Sequence, residues 1–253
     1  MDSQGSAQEI RMIRLVAISI GVLLALCVAG LIAGTLVAHY QYERSVESIS
    51  KKLATVAVSS PHIVWDTDLH RAYDDGGLLI KNGEVTDKRK INPVGPNTQQ
   101  IKVNLGNSNR PTTIEISHED GSKSAFQAEC GLVHTSFLSR DRFVMIGCNT
   151  LSVVGTNGQL LFSDSFTGKG LKFGGRASDG RRFVISVTSY QPGDPPSLTD
   201  EWLVIYDTEK QSATFALKSD PLPYQQSQTA LSTDGDYLLV GSGGHVKLVK
   251  LKE

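Results

Sequence analysis

Cysteine is scarce in this chain. Cys27, Cys130 and Cys148 are the only three, and no spacing of cysteine or histidine resembles a zinc site. Net charge is equally sparse. The formal balance of −1 lacks the basic excess of a nucleic-acid footprint, so no nucleic-acid partner is expected. The short motifs of catalysis are missing too. Val240-Gly241-Ser242-Gly243-Gly244 lacks the first glycine of a nucleophile elbow and reads as a turn between strands. Gly168-Lys169-Gly170 and Gly174-Gly175 lack the Gly-Lys-Ser/Thr ending of a phosphate-binding loop. No cofactor is implied.

What is present is a repeated phrase. Leu231-Ser232-Thr233-Asp234-Gly235-Asp236-Tyr237-Leu238-Leu239-Val240 is its clearest copy. Ala177-Ser178-Asp179-Gly180-Arg181-Arg182-Phe183-Val184-Ile185-Ser186 is a second, and Leu138-Ser139-Arg140-Asp141-Arg142-Phe143-Val144-Met145-Ile146-Gly147 a third. Each is a tight polar turn feeding an aromatic-led apolar strand. Asp-Gly turns the chain cheaply, because glycine takes positive φ and aspartate bonds its own backbone. The run that follows suits a pleated, half-buried surface. One hairpin cannot bury its own apolar face, so the copies have to stack. Ser139 and Ser178 stand 39 residues apart, near the ~40–45 of one propeller blade. Ser178 and Ser232 stand 54 apart, with the excess in a polar insert from Tyr190 to Glu201.

The second half of each unit also recurs. Leu151-Ser152-Val153-Val154 leads through Asn157-Gly158 to Gln159-Leu160-Leu161-Phe162. Trp202 to Asp207 leads through Thr208-Glu209-Lys210 to Ala213-Thr214-Phe215, and Val246 to Leu251 ends the series. These units resemble WD40-like propeller repeats, in particular the Ser-Pro-Asp-Gly type of bacterial cell-envelope proteins. Ser232 to Val240, Ser178 to Ile185 and the Tyr206-Asp207 strand end carry the resemblance, which covers mainly Phe126 to Glu253. The family's proline is absent, with Thr233 and Arg140 in its place. The resemblance implies an all-β propeller fold and a scaffold or binding role, with no catalytic residues to carry over.

Leu15 to Ala38 holds 24 residues without a charged side chain, enough to cross a bilayer core as a helix. The expected order is a short cytoplasmic head over 1–14, a retained signal anchor in the lipid bilayer over 15–38, a stalk helix or linker over 39–60, and a β-propeller-like domain over 61–253. The run is too long for a cleaved signal peptide, and bulky Leu26 before Cys27 argues against a lipoprotein site. A single-pass membrane protein with its C-terminal domain periplasmic or extracellular is therefore expected. Gly30 and Gly34 form a G-x-x-x-G pair suited to close helix approach. Tyr42, Val46, Ile49, Leu53 and Val56 follow with the four-three spacing of a short coiled-coil seam. Together they raise a homodimer. The alternative is a stalk lying against its own domain, with the helix stopping near Ser59-Ser60-Pro61.

His62 to Asp66 reads as a strand with a Trp-Asp ending. Asn82-Gly83 marks a hairpin between Leu78–Lys81 and Glu84–Asp87, and His118 to Gly121 marks another. The domain's length allows four or five blades, the low end for propellers, so an incomplete propeller or a sandwich is the rival. Cys130 and Cys148 flank one repeat turn and are a disulfide candidate outside the cytoplasm. His62, Asp66, Asp68 and His70 are the densest set of candidate metal ligands, against the plainer reading of a wet strand face. The insert Gln191-Pro192-Gly193-Asp194-Pro195-Pro196, flanked by Tyr190 and Trp202, is the first place to look for a protein partner. Tyr190, Asp194 and Trp202 are accordingly the candidate binding residues.

The leading functional expectation is a non-catalytic, membrane-tethered β-repeat scaffold or binding module. One alternative is a propeller-type hydrolase or cofactor-dependent enzyme with an unrecognised site. Another is a regulatory subunit signalling through paired transmembrane helices. Whether the chain is an enzyme stays open, leaning against.

Overall fold

The computed structural model describes residues 3–68, 79–81, 84–86, 100–104, 112–118, 120–128, 133–147, 149–191, 196–219, 225–242 and 244–251. One helix, α1 (Ser3–Leu53), precedes the strands. In chain order these are β1 (Ala57–Val58), β2 (His62–Asp68), β3 (Leu79–Lys81), β4 (Glu84–Thr86), β5 (Gln100–Asn104) and β6 (Thr112–Ser117). Then come β7 (Lys123–Ala128), β8 (Val133–Phe137), β9 (Arg142–Gly147), β10 (Thr150–Gly155), β11 (Leu160–Ser165) and β12 (Gly170–Arg176). The last six are β13 (Arg182–Gln191), β14 (Ser197–Asp207), β15 (Ser212–Ser219), β16 (Gln228–Leu231), β17 (Tyr237–Ser242) and β18 (His245–Lys250). Antiparallel repeats after one apolar helix are the expected architecture.

The chain divides into two units, Met1–Ser45 and Val46–Glu253. In the first, α1 presents apolar side chains such as Leu26 and Leu31 to the outside (66% and 72% exposed). α1 contains a stretch long and apolar enough to cross a membrane.

In the second unit the strands form successive sheets. β3 pairs with β4, and β5-β6-β7 make a three-stranded sheet. β8 to β11 follow as a meander. β12 to β15 form the next, with β1 added in parallel outside β15. The last sheet is β16-β17-β18-β2, so β2, the second strand after the helix, completes the sheet built by the C-terminus. That non-local pairing leaves no short-range sequence signal. Neighbouring sheets bury their apolar faces on one another, as the repeats required. Ile116, Phe143 and Val154 join the β5–β7 sheet to the β8–β11 sheet. Val144, Leu151, Phe183 and Val204 join β8–β11 to β12–β15. Leu203, Ile205, Leu238 and Val249 join β12–β15 to the last sheet.

The repeated phrase is the first turn of three consecutive sheets, and its copies touch. Ser139 and Ser232 donate their hydroxyls to Asp141 and Asp234 within their own turns. Arg176 donates to the Leu138 carbonyl at 2.6 Å. Ser178 donates through its backbone amide (3.1 Å) and hydroxyl (2.8 Å) to the Thr233 carbonyl. Arg182 donates to the Gly235 carbonyl and the Asp236 carboxylate at 2.8 and 2.7 Å. Gly180 has φ +68° and lies so close to the Leu138 carbonyl that a Cβ there would stand 2.1 Å from its oxygen. Only glycine meets both demands.

Two local expectations are corrected. The helix stops at Leu53, before Ser59-Ser60-Pro61, because the Val56 carbonyl and the Ala57-Val58 backbone are recruited by β15. The insert from Tyr190 to Glu201 is mostly ladder: Gln191 pairs with Ser197 and Tyr190 with Leu198, so only 192–196 separate the strands. The hairpin expected around His118 to Gly121 joins β6 and β7, with Gly121 at φ +81°.

Candidate functional site

The helix end belongs to the β unit. Ile49 and Leu53 are 3% and 1% exposed, and both sit in the core shared by the β8–β11 and β12–β15 sheets, with Val56 packed beside them. Lys52 bonds the Asp164 carboxylate and the Ser165 carbonyl and lies 4.3 Å over the Phe166 ring. These apolar positions of the expected seam are thus occupied by the chain's own core. Asp164 also accepts from the buried Tyr206 hydroxyl at 2.6 Å. Burial first, then this carboxylate, pushes the phenol well above its ordinary range. Tyr206 in turn stacks on Phe183 and Phe162.

The extended β13–β14 hairpin carries the densest buried polar cluster. Alternation sends Asp200 and Glu201 to opposite faces of one strand. Glu201 is fully buried and accepts from the Ser186 hydroxyl (2.6 Å), the Ser227 amide (3.1 and 3.2 Å to its two oxygens) and the Ser227 hydroxyl (2.5 Å). It ties the segment leading into β16 to β14. On the other face Asp200 accepts from Trp202 Nε1 at 3.2 Å and pairs with Lys218 at 3.0 Å. Buried Lys169 donates to the Ser189 hydroxyl at 2.7 Å. Burial pushes its amine below the usual lysine range, an effect partly offset by Asp200. An amine and a hydroxyl in contact are a possible base and nucleophile. Here both are closed to solvent (3% and 2% exposed), so the pair fastens the β11–β12 turn to β13.

The expected site residues fall as follows. Tyr190 is exposed and accepts from Gln226 Nε2 at 2.9 Å. Trp202, on β14 of the same hairpin, is buried in the core and also lines an open groove between two sheets. Asp194, His70, Cys130 and Cys148 lie outside the described residues, as does the side chain of Asp68. His62 and Asp66 are exposed on β2. Asp66 faces His245 Nδ1 at 3.4 Å and Lys247 at 4.0 Å. Among the described residues, no group of three or more His, Cys, Asp or Glu side chains is placed to hold a metal ion. Gly30 and Gly34 have open space where a Cβ would stand.

One groove was not anticipated. It opens between the outer parts of the β12–β15 and β16–β2 sheets, with a cavity of about 530 Å³. Val58, Ile63, Leu217, Val240 and Val249 are among its apolar lining residues, and Lys218, His245 and Lys247 are its basic ones. Sequence periodicity could mark each strand's apolar face but not where two sheets part at their edges. β2 joins β18 across nearly the whole domain, so the groove brings Val58 and Ile63 from the domain's start against Leu217, Val240 and Val249 from its end.

No protein-family model matches the chain, and no curated protein matches it. Among solved structures it is similar to the C-terminal WD40 domain of Sif2, with a TM-score of 0.41 and 13% identity over 60% of this chain and 46% of that one. It is also similar to BBS1N in complex with ARL6DN, at 0.36 and 12% over 61% and 51%. The WD40 domain of Toxoplasma gondii coronin gives 0.35 and 15% over 55% and 39%. The chain thus spans about half of these proteins or less.

Proposed function

We propose that this chain is a membrane-tethered, non-catalytic β-repeat module that binds or scaffolds a protein partner in the cell envelope. In this reading residues 15–38 lie in the lipid bilayer as a retained signal anchor. The head over 1–14 stays in the cytoplasm, and the β domain is periplasmic or extracellular. One observation carries the proposal. A helix whose apolar side chains lie exposed is joined in sequence to a stack of sheets whose polar interior is tied up in structural bonds, while an apolar groove stays open on its outside. Exposed apolar helix surface of that length is stable only when lipid covers it, and open apolar patches on a rigid β scaffold mark interaction sites.

The test is fractionation of full-length protein expressed in a bacterium, together with C-terminal reporter fusions. The chain should stay with the membrane through carbonate extraction. A fused alkaline phosphatase should be active, since that enzyme matures only outside the cytoplasm. Release into the soluble fraction, or an inactive phosphatase beside a fluorescent cytoplasmic reporter, would refute the tether or its orientation. The Gly30/Gly34 pair extends the proposal to a homodimer, read by whether Gly30→Leu with Gly34→Leu turns a dimer in lipid nanodiscs into a monomer.

A further inference from the structure

The groove between the β12–β15 sheet and the last sheet has features that together specify an occupant. The first is an apolar floor. Val58, Leu217, Val240 and Val249 belong to, or pack against, the core joining the two sheets, and they continue outward into the groove with Ile63, which is 43% exposed. A volume of about 530 Å³ falls within the range of ligand-holding pockets.

Backbone supplies the second feature. β1 and β2 are the outermost strands of their sheets, and their outer edges meet no other strand among the described residues. Ala57, Val58 and Ile63 from these strands line the groove. Such edges present unpaired N–H and C=O groups ready for another extended chain. The fold already uses this chemistry once, since β1 is a short strand laid in parallel along β15.

Charge is the third. Lys218, His245 and Lys247 line the groove and are 57%, 61% and 47% exposed. Lys218 pairs with the buried Asp200 at 3.0 Å, while His245 and Lys247 share one exposed carboxylate, Asp66, at 3.4 and 4.0 Å. What faces solvent is thus two ammonium groups and an imidazole around one carboxylate, the second carboxylate being buried.

We propose that this groove binds an extended segment of a partner protein by strand addition, with apolar side chains on the segment's inward face and acidic ones toward the lysines. The inference rests on the binding-module reading and gives that partner a chemistry. Backbone bonds would supply affinity and the alternating side chains selectivity.

The test uses the full chain in lipid nanodiscs. The probe is a short fluorescein-labelled peptide of alternating valine and aspartate, compared with one of alternating valine and lysine. The acidic peptide should bind. Lys247→Glu, which reverses an exposed charge, should weaken it about tenfold, and Ile63→Asp should do the same. Leu160→Asp, at an exposed apolar position on another sheet, should change nothing. Equal binding of both peptides, or unchanged binding in Lys247→Glu, overturns the proposal. So does occupation of the groove by decanoate with no peptide binding, which would make it a lipid site.

A photo-crosslinking residue placed at Ile63 or at Tyr190 in cells separates this claim from the broader one. Adducts at Ile63 that vanish with Lys247→Glu support the groove. Protein adducts at Tyr190 alone leave the module reading standing and sink the groove. Absence of adducts at both sites sinks both.

Discussion

Leu53→Ala tests whether the helix end is a detached stalk or part of the β core. Leu53 is 1% exposed among Ile49, Phe166 and Trp202 in the core between two sheets. The substitution removes three buried carbons, worth about 0.8 kcal/mol each, so about 2.4 kcal/mol is lost before any cavity forms. A residual cavity adds to this, and measured Leu→Ala costs run from about 2 to 5 kcal/mol. The last turn of a helix can settle inward, so we expect about 3 kcal/mol. For a unit of this size that is a fall of about 6–12 °C in Tm. Urea unfolding of the full chain in nanodiscs, followed by tryptophan fluorescence, reads it out, because one of the chain's 2 tryptophans, Trp202, lies in the same core. Leu36→Ala, at an exposed position on the same helix, should shift the midpoint by less than about 0.5 kcal/mol. If Leu53→Ala is equally silent, the helix end does not belong to the domain and the packing argument fails.

Gly180→Ala should cost at least about 2 kcal/mol, from positive φ and the collision with the Leu138 carbonyl. Gly168→Ala, also at positive φ but with nothing within 4 Å, should cost only about 1 kcal/mol. Equal losses in thermal melts would remove the turn-to-turn contact from the account. Tyr206→Phe deletes the bond to Asp164 and should cost about 1.5 kcal/mol, the low end for a charged acceptor, because Asp164 keeps Lys52. A neutral result in urea unfolding would count against it. On the acid side, burial pushes Asp207 up, but the amides of Lys210 and Glu209 and the Arg181 guanidinium outweigh it and hold the carboxyl below its usual range. Asp141 is held low by Arg142 and Ser139. A depressed folded value gives stability at neutral pH that is lost as pH falls below about 4. Asp207→Asn should be less stable at pH 7 and lose part of that acid slope; an unchanged slope would refute the assignment.

What was legible was local. The copies at Ser139, Ser178 and Ser232 marked equivalent turns because turn chemistry and strand propensity act over a few residues. The hairpins at His118–Gly121 and Asn157–Gly158 were legible for the same reason. What was not legible needed partners far away in the chain. Ile49 and Leu53 carry the same spacing whether they face a second helix or their own sheets, and only packing chooses. The polar run before Trp202 looked like a loop because burial of Asp200 and Glu201 depends on Lys218 and Ser227. The groove is the extreme case, since each of its walls joins a strand from the domain's start to strands from its end.

The repeat therefore does more than reverse the chain. Were the turns mere reversals, Asp-Gly would serve and nothing else in the phrase would need to recur. Instead the basic residues around the second copy reach its neighbours on both sides: Arg176 to Leu138, and Arg182 to Gly235 and Asp236. Arg142 of the first copy reaches Thr208 of the next sheet at 3.1 Å. Carbonyls in tight turns lack strand partners, and a half-buried carbonyl without a donor costs free energy. A guanidinium from the adjoining sheet satisfies them while fixing one sheet's position on the next. That arrangement makes the phrase a device for registering sheets against each other. Serine stands in all three copies, while arginine is found in the first two and the Asp-Gly glycine in the last two, so the contacts are shared out between neighbouring copies and not repeated whole in each.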